Sequence, residues 1–247
     1  MAGHSKWKNI RIRKGKQDAV RGKLFTKISR EIIVAARAGG GDVSMNPRLR
    51  VAVEKAREAS MPVDNIKKAI GRGTGEIEGA DYEELVYEGY GPGGSAIILE
   101  CYSENKNRTV ADVRHAFSKN GGNMAENGSV AWQFKRVGNI SMDRNGVDED
   151  ELTLAALDAG AEDVESDEES FTVVTAMEDL HKVNEGLIKA GYKTGDAELV
   201  YMPTNKTELS ADDSAKLMRL LDALEDLDDV QETYVNVDIT EDMLQEA

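Results

Sequence analysis

The residues best suited to chemistry in this sequence are cations gathered near its beginning. Between Gly3 and Arg30, ten Lys or Arg residues stand against a single acid, Asp18. Positive charge at this density is typical of a segment that holds the phosphates of a nucleic acid. The candidate nucleic-acid-binding cations are Lys6, Lys8, Arg11, Arg13, Lys14, Lys16, Arg21, Lys23, Lys27 and Arg30.

One aromatic residue, Trp7, lies among these cations, between Lys6 and Lys8. An aromatic ring in this position can stack on a base or a ribose while the lysines contact phosphates. The ring can equally pack against the rest of the protein and anchor the segment that carries it. We include Trp7 in the candidate nucleic-acid-binding set, and both interpretations remain open.

The remainder of the chain carries the opposite charge. Residues 1–72 hold 18 basic and 6 acidic residues, a net charge of +12, whereas residues 73–247 hold 13 basic and 40 acidic residues, a net charge of −27, which together give the formal −15. This asymmetry indicates a polyanion-binding module joined to acidic domains. Charged faces that serve only solubility are the alternative.

Composition and length define the class of protein. With 247 residues, 40% of them apolar and 31% charged, the chain is long enough for two or three globular domains. It has no run of roughly 18 apolar residues, as a membrane helix would need, and no apolar segment typical of a secretory signal. Cys101 is the only cysteine, which favours a reducing compartment. We therefore expect a cytoplasmic protein without membrane contact.

The basic segment predicts an arm followed by a small helical bundle. Residues 3–16 lack apolar periodicity, whereas residues 17–38 repeat apolar side chains with helical spacing until three glycines end the pattern. Asn46-Pro47 can cap a second helix, and a third helix follows Pro62. On the first helix one sector of roughly 80°, opposite the apolar stripe, carries a single sign of charge and predicts an open basic face. Its members are Lys16, Lys23, Lys27, Arg30 and Arg37.

The acidic part of the chain, after a predicted linker at 73–81, predicts two sheets. A strand at 95–102, a helix from Thr109 and a strand at 130–134 form a βαβ unit. Residues 139–202 follow the order βαββαβ of a ferredoxin-like domain. A last helix and strand, at 210–239, have no sheet of their own, and we expect them to complete the first unit.

These patterns predict an α+β multi-domain protein. It would contain an N-terminal three-helix bundle and two ferredoxin-like α/β domains, one inserted in the other. The expected domains are residues 1–72, residues 82–135 together with 205–240, and the inserted residues 136–204.

Motifs that resemble catalytic or cofactor sites have simpler explanations. The GxGxxG match that begins at Gly89 contains a proline and leads into a strand, unlike a dinucleotide fingerprint. His4, His115, His181 and Cys101 are too scattered for a metal site. The acidic run at 222–229 alternates with leucines and indicates a solvated helix face. We expect no enzyme activity, no cofactor and no metal.

Two polar segments flank the helix predicted after Thr109. Residues 120–128 (NGGNMAENG) follow this helix, and the other segment precedes it. Loops of this kind are frequent contact sites for partners. The candidate partner loop consists of Asn105, Lys106, Asn107, Arg108 and Thr109.

Several stretches resemble the YebC family. They are AGHSKWKNIRIRKGKQDAVRGKLFTKISREI, ASMPVDNIKKAIGRG, YEGYGPGGSAIILECYSENKNRTVADVRHAFSKNGG and GSVAWQF. The resemblance covers essentially the whole chain and is strongest over residues 2–134. It departs from the family pattern at Asp42-Val43, where a proline is expected after the aspartate, and at Ser60, where asparagine is usual.

The resemblance implies three domains, no enzymatic activity, and nucleic-acid contacts through the arm and first helix. Family members are described as bacterial DNA-binding transcriptional regulators, and mitochondrial relatives activate translation. Others resemble ribosome-associated factors that ease stalling on proline-rich stretches.

Three hypotheses follow for the function. The first is a regulator that binds DNA through its basic arm and first helix, and the second is a translation factor that binds ribosomal RNA and ribosomal protein. The third is a protein-interaction scaffold whose basic segment docks on an acidic partner or on its own acidic domains. In the first two, the acidic domains are expected to face away from the polyanion or to meet a protein partner. The sequence does not define an oligomeric state.

Overall fold

The structure is a computed structural model that describes residues 17–167, 170–240 and 243, with residues 17–21 described in backbone only. Its helices are α1 (Gln17–Gly39), α2 (Pro47–Glu58), α3 (Val63–Thr74), α4 (Lys106–Lys119), α5 (Glu149–Ala159), α6 (Leu180–Lys189) and α7 (Ala211–Glu225). Its strands are β1 (Glu83–Tyr90), β2 (Ala96–Ser103), β3 (Asn123–Ala125), β4 (Phe134–Asp143), β5 (Asp163–Ser166), β6 (Ser170–Thr175), β7 (Ala197–Pro203) and β8 (Val230–Val235). The prediction of an α+β multi-domain protein is confirmed.

The three N-terminal helices pack on one apolar core. Ile32 of α1, Leu49 of α2 and Ile66 of α3 belong to the same buried cluster. Asn46 joins the first two helices, because its side-chain oxygen accepts a hydrogen bond from the Leu49 backbone N–H at 3.0 Å while its Nδ2 donates to the carbonyls of Ala35 and Gly40, each at 2.8 Å. The predicted cap at Asn46 and the first-turn proline at Pro47 are therefore confirmed.

Two four-stranded antiparallel sheets form the body, which we define as residues 82–240. The strand order is β3-β1-β2-β8 in the first sheet and β5-β6-β4-β7 in the second. The second sheet, with α5 and α6 between its strands, has the split βαβ topology of a ferredoxin-like fold. If β2, β3, β1 and β8 are taken as strands one to four, the first sheet has the same spatial order. The two sheets therefore have the same spatial arrangement of strands. They differ in chain order, because the strand that comes third along the chain in the second sheet, β6, corresponds to β1, which comes first in the first sheet.

Each sheet has one face under helices and one face against the other sheet. Ile97 of β2 packs with α4 and α7, whereas its neighbour Ile98 joins a cluster with Val137 and Val200 of the second sheet. Period-two alternation along β2 thus separates a helix-facing core from a core between sheets. At that junction Arg136 of β4 donates to the Glu100 carboxylate at 3.2 Å.

The region around β1 and residues 130–134 differs from the sequence prediction. Residues 83–90, which were not assigned to any element, form β1 and pair along their whole length with β2. The predicted strand over residues 130–134 was wrong, because Ala131–Gln133 is a 3₁₀ turn and β4 begins only at Phe134. The alternation was misleading because Val130 and Phe134 are buried while Trp132, between them, is 70% exposed.

Asn46 offers a test of the bundle. We expect Asn46→Ala to lower the free energy of unfolding by about 1–2 kcal/mol, because the cap of α2 and two bonds to the end of α1 are lost. Asn46→Ser is the matched control, since its hydroxyl can still cap α2 by accepting from the Leu49 N–H while both bonds to the carbonyls of Ala35 and Gly40 are lost. Urea denaturation followed by circular dichroism should rank wild type above Ser and Ser above Ala. An alanine variant as stable as wild type would contradict this role.

Candidate nucleic-acid interface

The arm predicted to bind nucleic acid lies outside the described residues. This holds for Lys6, Trp7, Lys8, Arg11, Arg13, Lys14 and Lys16. Arg21 lies on α1, but its side chain is not described. For all of these residues nucleic-acid binding stays a prediction.

The basic face of α1 is turned toward the body rather than left open. Lys23 contacts Asp226 at 2.9 Å, and Lys27 contacts Glu225 at 2.8 Å. Glu225 is the last residue of α7, and Asp226 follows it. Farther along the helix, Arg37 pairs with Asp81. The prediction of an open basic face on α1 is thus corrected, and α1 docks on the protein's own acidic domains, as the third hypothesis from the sequence allowed. The physical reason is opposite charge, since the body supplies carboxylates where the helix supplies cations.

Arg30 is the most deeply placed cation of this face. It is 9% exposed, donates a hydrogen bond to the Asp228 carbonyl and contacts the Asp229 carboxylate at 3.0 Å. Its guanidinium also lies 5.3 Å from the centre of the Tyr82 ring. A buried guanidinium is tolerated only with partners of this kind. Arg30 therefore holds α1 to the body and is not accessible to phosphate in this conformation.

Asp229 connects α1 to the predicted partner loop. Its carboxylate, 7% exposed, accepts a hydrogen bond from Thr109 Oγ1 at 2.5 Å and contacts Arg108 at 3.3 Å as well as Arg30. The interpretation of residues 222–229 as a solvated helix face was wrong for Asp229. Residues 30, 108 and 229 are too far apart in sequence for any local pattern to reveal their contact.

A polar cleft of about 570 Å³ opens beside this junction. Its lining carries the two guanidinium groups of Arg30 and Arg108, together with a larger number of carboxylates. The acidic members are Glu104, Asp112, Asp226, Asp228 and Asp229. Because acids outnumber cations, the cleft is unsuited to a phosphate.

The predicted partner loop divides into structural and exposed residues. Asn105 caps α4 by accepting a hydrogen bond from the Arg108 N–H at 3.1 Å, and Thr109 is buried against Ser103 and Asp229. Lys106 and Asn107 are exposed at the beginning of the helix. A partner at this loop would therefore meet Lys106 and Asn107 first.

Two further contacts join the bundle to the body. Arg48 contacts Glu84 at 2.6 Å and the Tyr102 hydroxyl at 3.0 Å. Lys55 lies between Glu31 of α1 at 3.5 Å and Glu198 of β7 at 3.0 Å. Burial alone would lower the pKa of Lys55, but these carboxylates more than offset that effect, and the pKa is raised above its ordinary value. Lys55, which lies on α2, thus stays charged and links α1 and α2 of the bundle to β7 of the body.

A set of basic side chains on the bundle, which we call the α3 surface, nevertheless remains exposed. It is formed by Arg57 at the end of α2 and by Lys67, Lys68 and Arg72 of α3, all exposed. Within the described ranges, these four side chains make no ion pair. From the sequence, the main basic face was expected on α1 instead.

Cofactor and metal chemistry find no support in the part of the chain that the structure describes. No group of three or more His, Cys, Asp and Glu residues there is arranged to hold a metal ion. Cys101 is buried in β2, and this burial raises the pKa of its thiol to about 12.

In the same described ranges, no helix combines the length and apolarity that crossing a membrane requires.

Comparison of the sequence with models of known protein families shows the family to which this chain belongs. The model of the TACO1/YebC protein N-terminal domain matches residues 5–76, and the model of the TACO1/YebC second and third domain matches residues 82–237. The chain belongs to the TACO1/YebC family. The resemblance noted from the sequence is therefore confirmed, and the two models meet between the bundle and β1.

Relatives within the TACO1/YebC family are similar along nearly their whole length. A "probable transcriptional regulatory protein" of Thiobacillus denitrificans is 56% identical over 239 residues, covering 96% of this chain and 98% of the relative. One of the same description from Neisseria gonorrhoeae is 56% identical over 237 residues, with the same coverage. The crystal structure of a conserved hypothetical protein from Aquifex aeolicus matches with a TM-score of 0.84 and 45% identity, covering 91% of this chain and 93% of that one.

The contact of Asp229 with Arg30 can be tested by substitution. We expect Asp229→Asn to lower the free energy of opening of α1 by about 1–3 kcal/mol, because a nearly buried guanidinium loses its counter-charge. Native-state hydrogen exchange of the α1 amides measures this opening. Asp238→Asn is the matched control, since Asp238 pairs with Lys206 at an exposed position and its loss should change protection little. Equal effects of the two substitutions would contradict the assignment.

Proposed function

We propose that this protein is a non-enzymatic regulator of gene expression that binds nucleic acid, acts in the cytoplasm and grips phosphates with its N-terminal basic segment. The observation that carries the proposal is the division of charge, +12 over residues 1–72 against −27 over the rest. The exposed cations Lys67, Lys68 and Arg72, which make no ion pair with the described part of the body, supply a further phosphate-binding surface. The names of the relatives, as transcriptional regulatory proteins, favour duplex DNA as the polymer.

The arm and α1 take different parts in this proposal. The arm provides Lys6, Lys8, Arg11, Arg13, Lys14 and Lys16, with Trp7 as a stacking or anchoring group. Lys23 and Asp226 are 46% and 59% exposed in their side chains, and an exposed pair of this kind contributes about 0–1 kcal/mol. A polymer with many phosphates can therefore replace Asp226 as the partner of Lys23. Arg30, which is nearly buried, stays with Asp229.

Recognition of a particular base sequence is not part of the proposal. Phosphate contacts set position and affinity but carry no sequence information by themselves. Most of the acidic body carries the same sign of charge as a polyanion, which favours a protein partner for it. Asn105, Lys106, Asn107 and Arg108 are exposed in the candidate partner loop, and of these Lys106 and Asn107 are suited to such a contact because the other two have roles within the fold.

A second candidate is a ribosome-associated translation factor that relieves stalling. The exposed residues Lys106 and Asn107 favour it, because they offer the acidic body a contact of its own with a ribonucleoprotein. Sedimentation of a cell lysate through a sucrose gradient separates the two candidates. Co-migration with ribosomes after digestion of DNA supports the translation role, whereas its absence supports the transcription role.

Phosphate binding by the basic segment can be tested with matched charge reversals. We expect Lys67→Glu/Lys68→Glu to weaken binding to a short DNA duplex at low salt by roughly tenfold or more, and to reduce the slope of log affinity against log salt by about 0.9 per lost phosphate contact. Deletion of residues 3–16 should weaken binding to DNA and RNA together. Fluorescence anisotropy of a labelled duplex provides the measurement.

The control for this test is Lys182→Glu/Lys189→Glu. It makes the same change of net charge at two helical positions that are 71% and 77% exposed in their side chains. If both double variants bind equally well, the α3 surface does not contact phosphate. If the deletion also binds as wild type does, the proposal fails as a whole.

A further inference from the structure

Trp132 is a large aromatic side chain that the fold leaves at the surface. It is 70% exposed, yet its orientation is fixed, because its indole Nε1 donates a hydrogen bond to the Ser129 carbonyl at 3.0 Å. The Tyr90 hydroxyl donates to the same carbonyl at 2.9 Å, and Tyr90 is 38% exposed. A single backbone carbonyl oxygen thus accepts a hydrogen bond from each of the two aromatic side chains. The polar atoms of both rings have a partner, and part of each ring remains exposed to solvent.

A buried carboxylate shapes the turn that carries Trp132. Glu88 of β1 is 4% exposed and accepts hydrogen bonds from the backbone N–H groups of Gly128, Val130 and Ala131 at 2.6, 2.7 and 2.9 Å. Burying a carboxylate is costly unless it is fully hydrogen-bonded, so the turn and Glu88 require each other. Glu88 is therefore a positioning residue for Trp132, since it fixes the backbone immediately before the indole.

A cation lies on the same side of the first sheet. Along β1, Val86, Glu88 and Tyr90 lie on one face of the sheet, and Tyr87 lies on the other. Val86 is directly opposite Glu100 of β2 in the strand pairing. Arg136, whose side chain is 42% exposed, contacts Glu100 at 3.2 Å. Arg136 also lies 5.2 Å from the centre of the Tyr201 ring, so it already has partners, and the open part of the platform is the Trp132 indole with the Tyr90 phenol.

We propose that Trp132, with Tyr90 beside it, is a stacking platform for an unpaired base of a single-stranded nucleic acid. This proposal rests on the proposed function and adds a second contact on the acidic body. A ring whose own polar atoms are already bonded binds by its face, and every base has a face to offer. A base in a duplex is already stacked and cannot reach the platform.

The size of the exposed surface favours a base over a folded protein. A tryptophan contributes about 250 Å² at most, whereas a stable protein interface buries about 1,200–2,000 Å² in total. The residues just before the platform are polar, with Glu126 and Asn127 both exposed. A surface of this size and surroundings suits one or two stacked bases.

The experiment uses the full-length chain in a Trp7→Phe background, so that Trp132 is the only tryptophan. A short oligouridylate is added, and binding is followed both by Trp132 fluorescence and by anisotropy of a labelled copy. We expect the Trp132 emission to be quenched along the same saturation curve as the anisotropy. Trp132→Ala should weaken oligouridylate binding about tenfold and leave duplex binding unchanged, because stacking on one base is lost.

Two further variants separate stacking from damage to the fold. Trp132→Phe keeps a ring and should retain most of the affinity, and circular dichroism should be unchanged for both substitutions at this exposed position. Glu88→Gln should lower the anisotropy of Trp132 emission in the free protein and weaken oligouridylate binding in the same direction, because the turn is loosened.

The outcomes distinguish this proposal from the proposed function. If the emission is unchanged on saturation and Trp132→Ala binds as its parent does, while deletion of residues 3–16 still weakens binding, then the platform is wrong and the proposed function stands. If the parent binds neither oligouridylate nor duplex, both proposals fail.

Discussion

Opposite charge joins the N-terminal helices to the two sheets, and the remaining features depend on that attraction. Lys23, Lys27 and Arg30 run along one side of α1 and meet carboxylates at the end of α7 and beyond it. Lys55 extends the contact to β7. Pairs that are partly buried add less stability than their number suggests, because desolvation offsets much of the attraction. Their main effect is to fix orientation, which leaves the cations of α3 facing solvent.

The same attraction gives the basic segment two kinds of cation. Those near the junction already have carboxylate partners, and they range from the half-exposed Lys23 to the nearly buried Arg30. Those on α3 have none among the described residues. A polyanion would meet the second kind directly and the first kind only in competition with the body. Opposite charges on one chain are therefore compatible with binding to a polyanion. Salt weakens the contacts of the cations with phosphate, and it also weakens the ion pairs with the body that compete with those contacts.

Local patterns in the sequence were sufficient for the elements whose signals are local. The helix periods of α1 and α2, the cap at Asn46 and the βαββαβ order of the second sheet all depend on neighbouring residues. β1 was missed because its exposed acids hide a weak alternation, and Trp132 was placed in a strand because Glu88, far away in sequence, sets its turn. The docking of α1 could not be anticipated from local pattern, since Asp229 meets Arg30 only after both sheets are complete.

The distance along the chain between β2 and β8 has a consequence for biosynthesis. The first sheet begins at residue 83 but needs residues 230–235 beside β2, so it stays incomplete until those residues have been synthesised. Lys23 likewise emerges 203 residues before Asp226, an interval of about 10–40 s at ordinary elongation rates. During that time the nascent basic segment lacks its intramolecular counter-ions, close to the RNA of the ribosome that is making it.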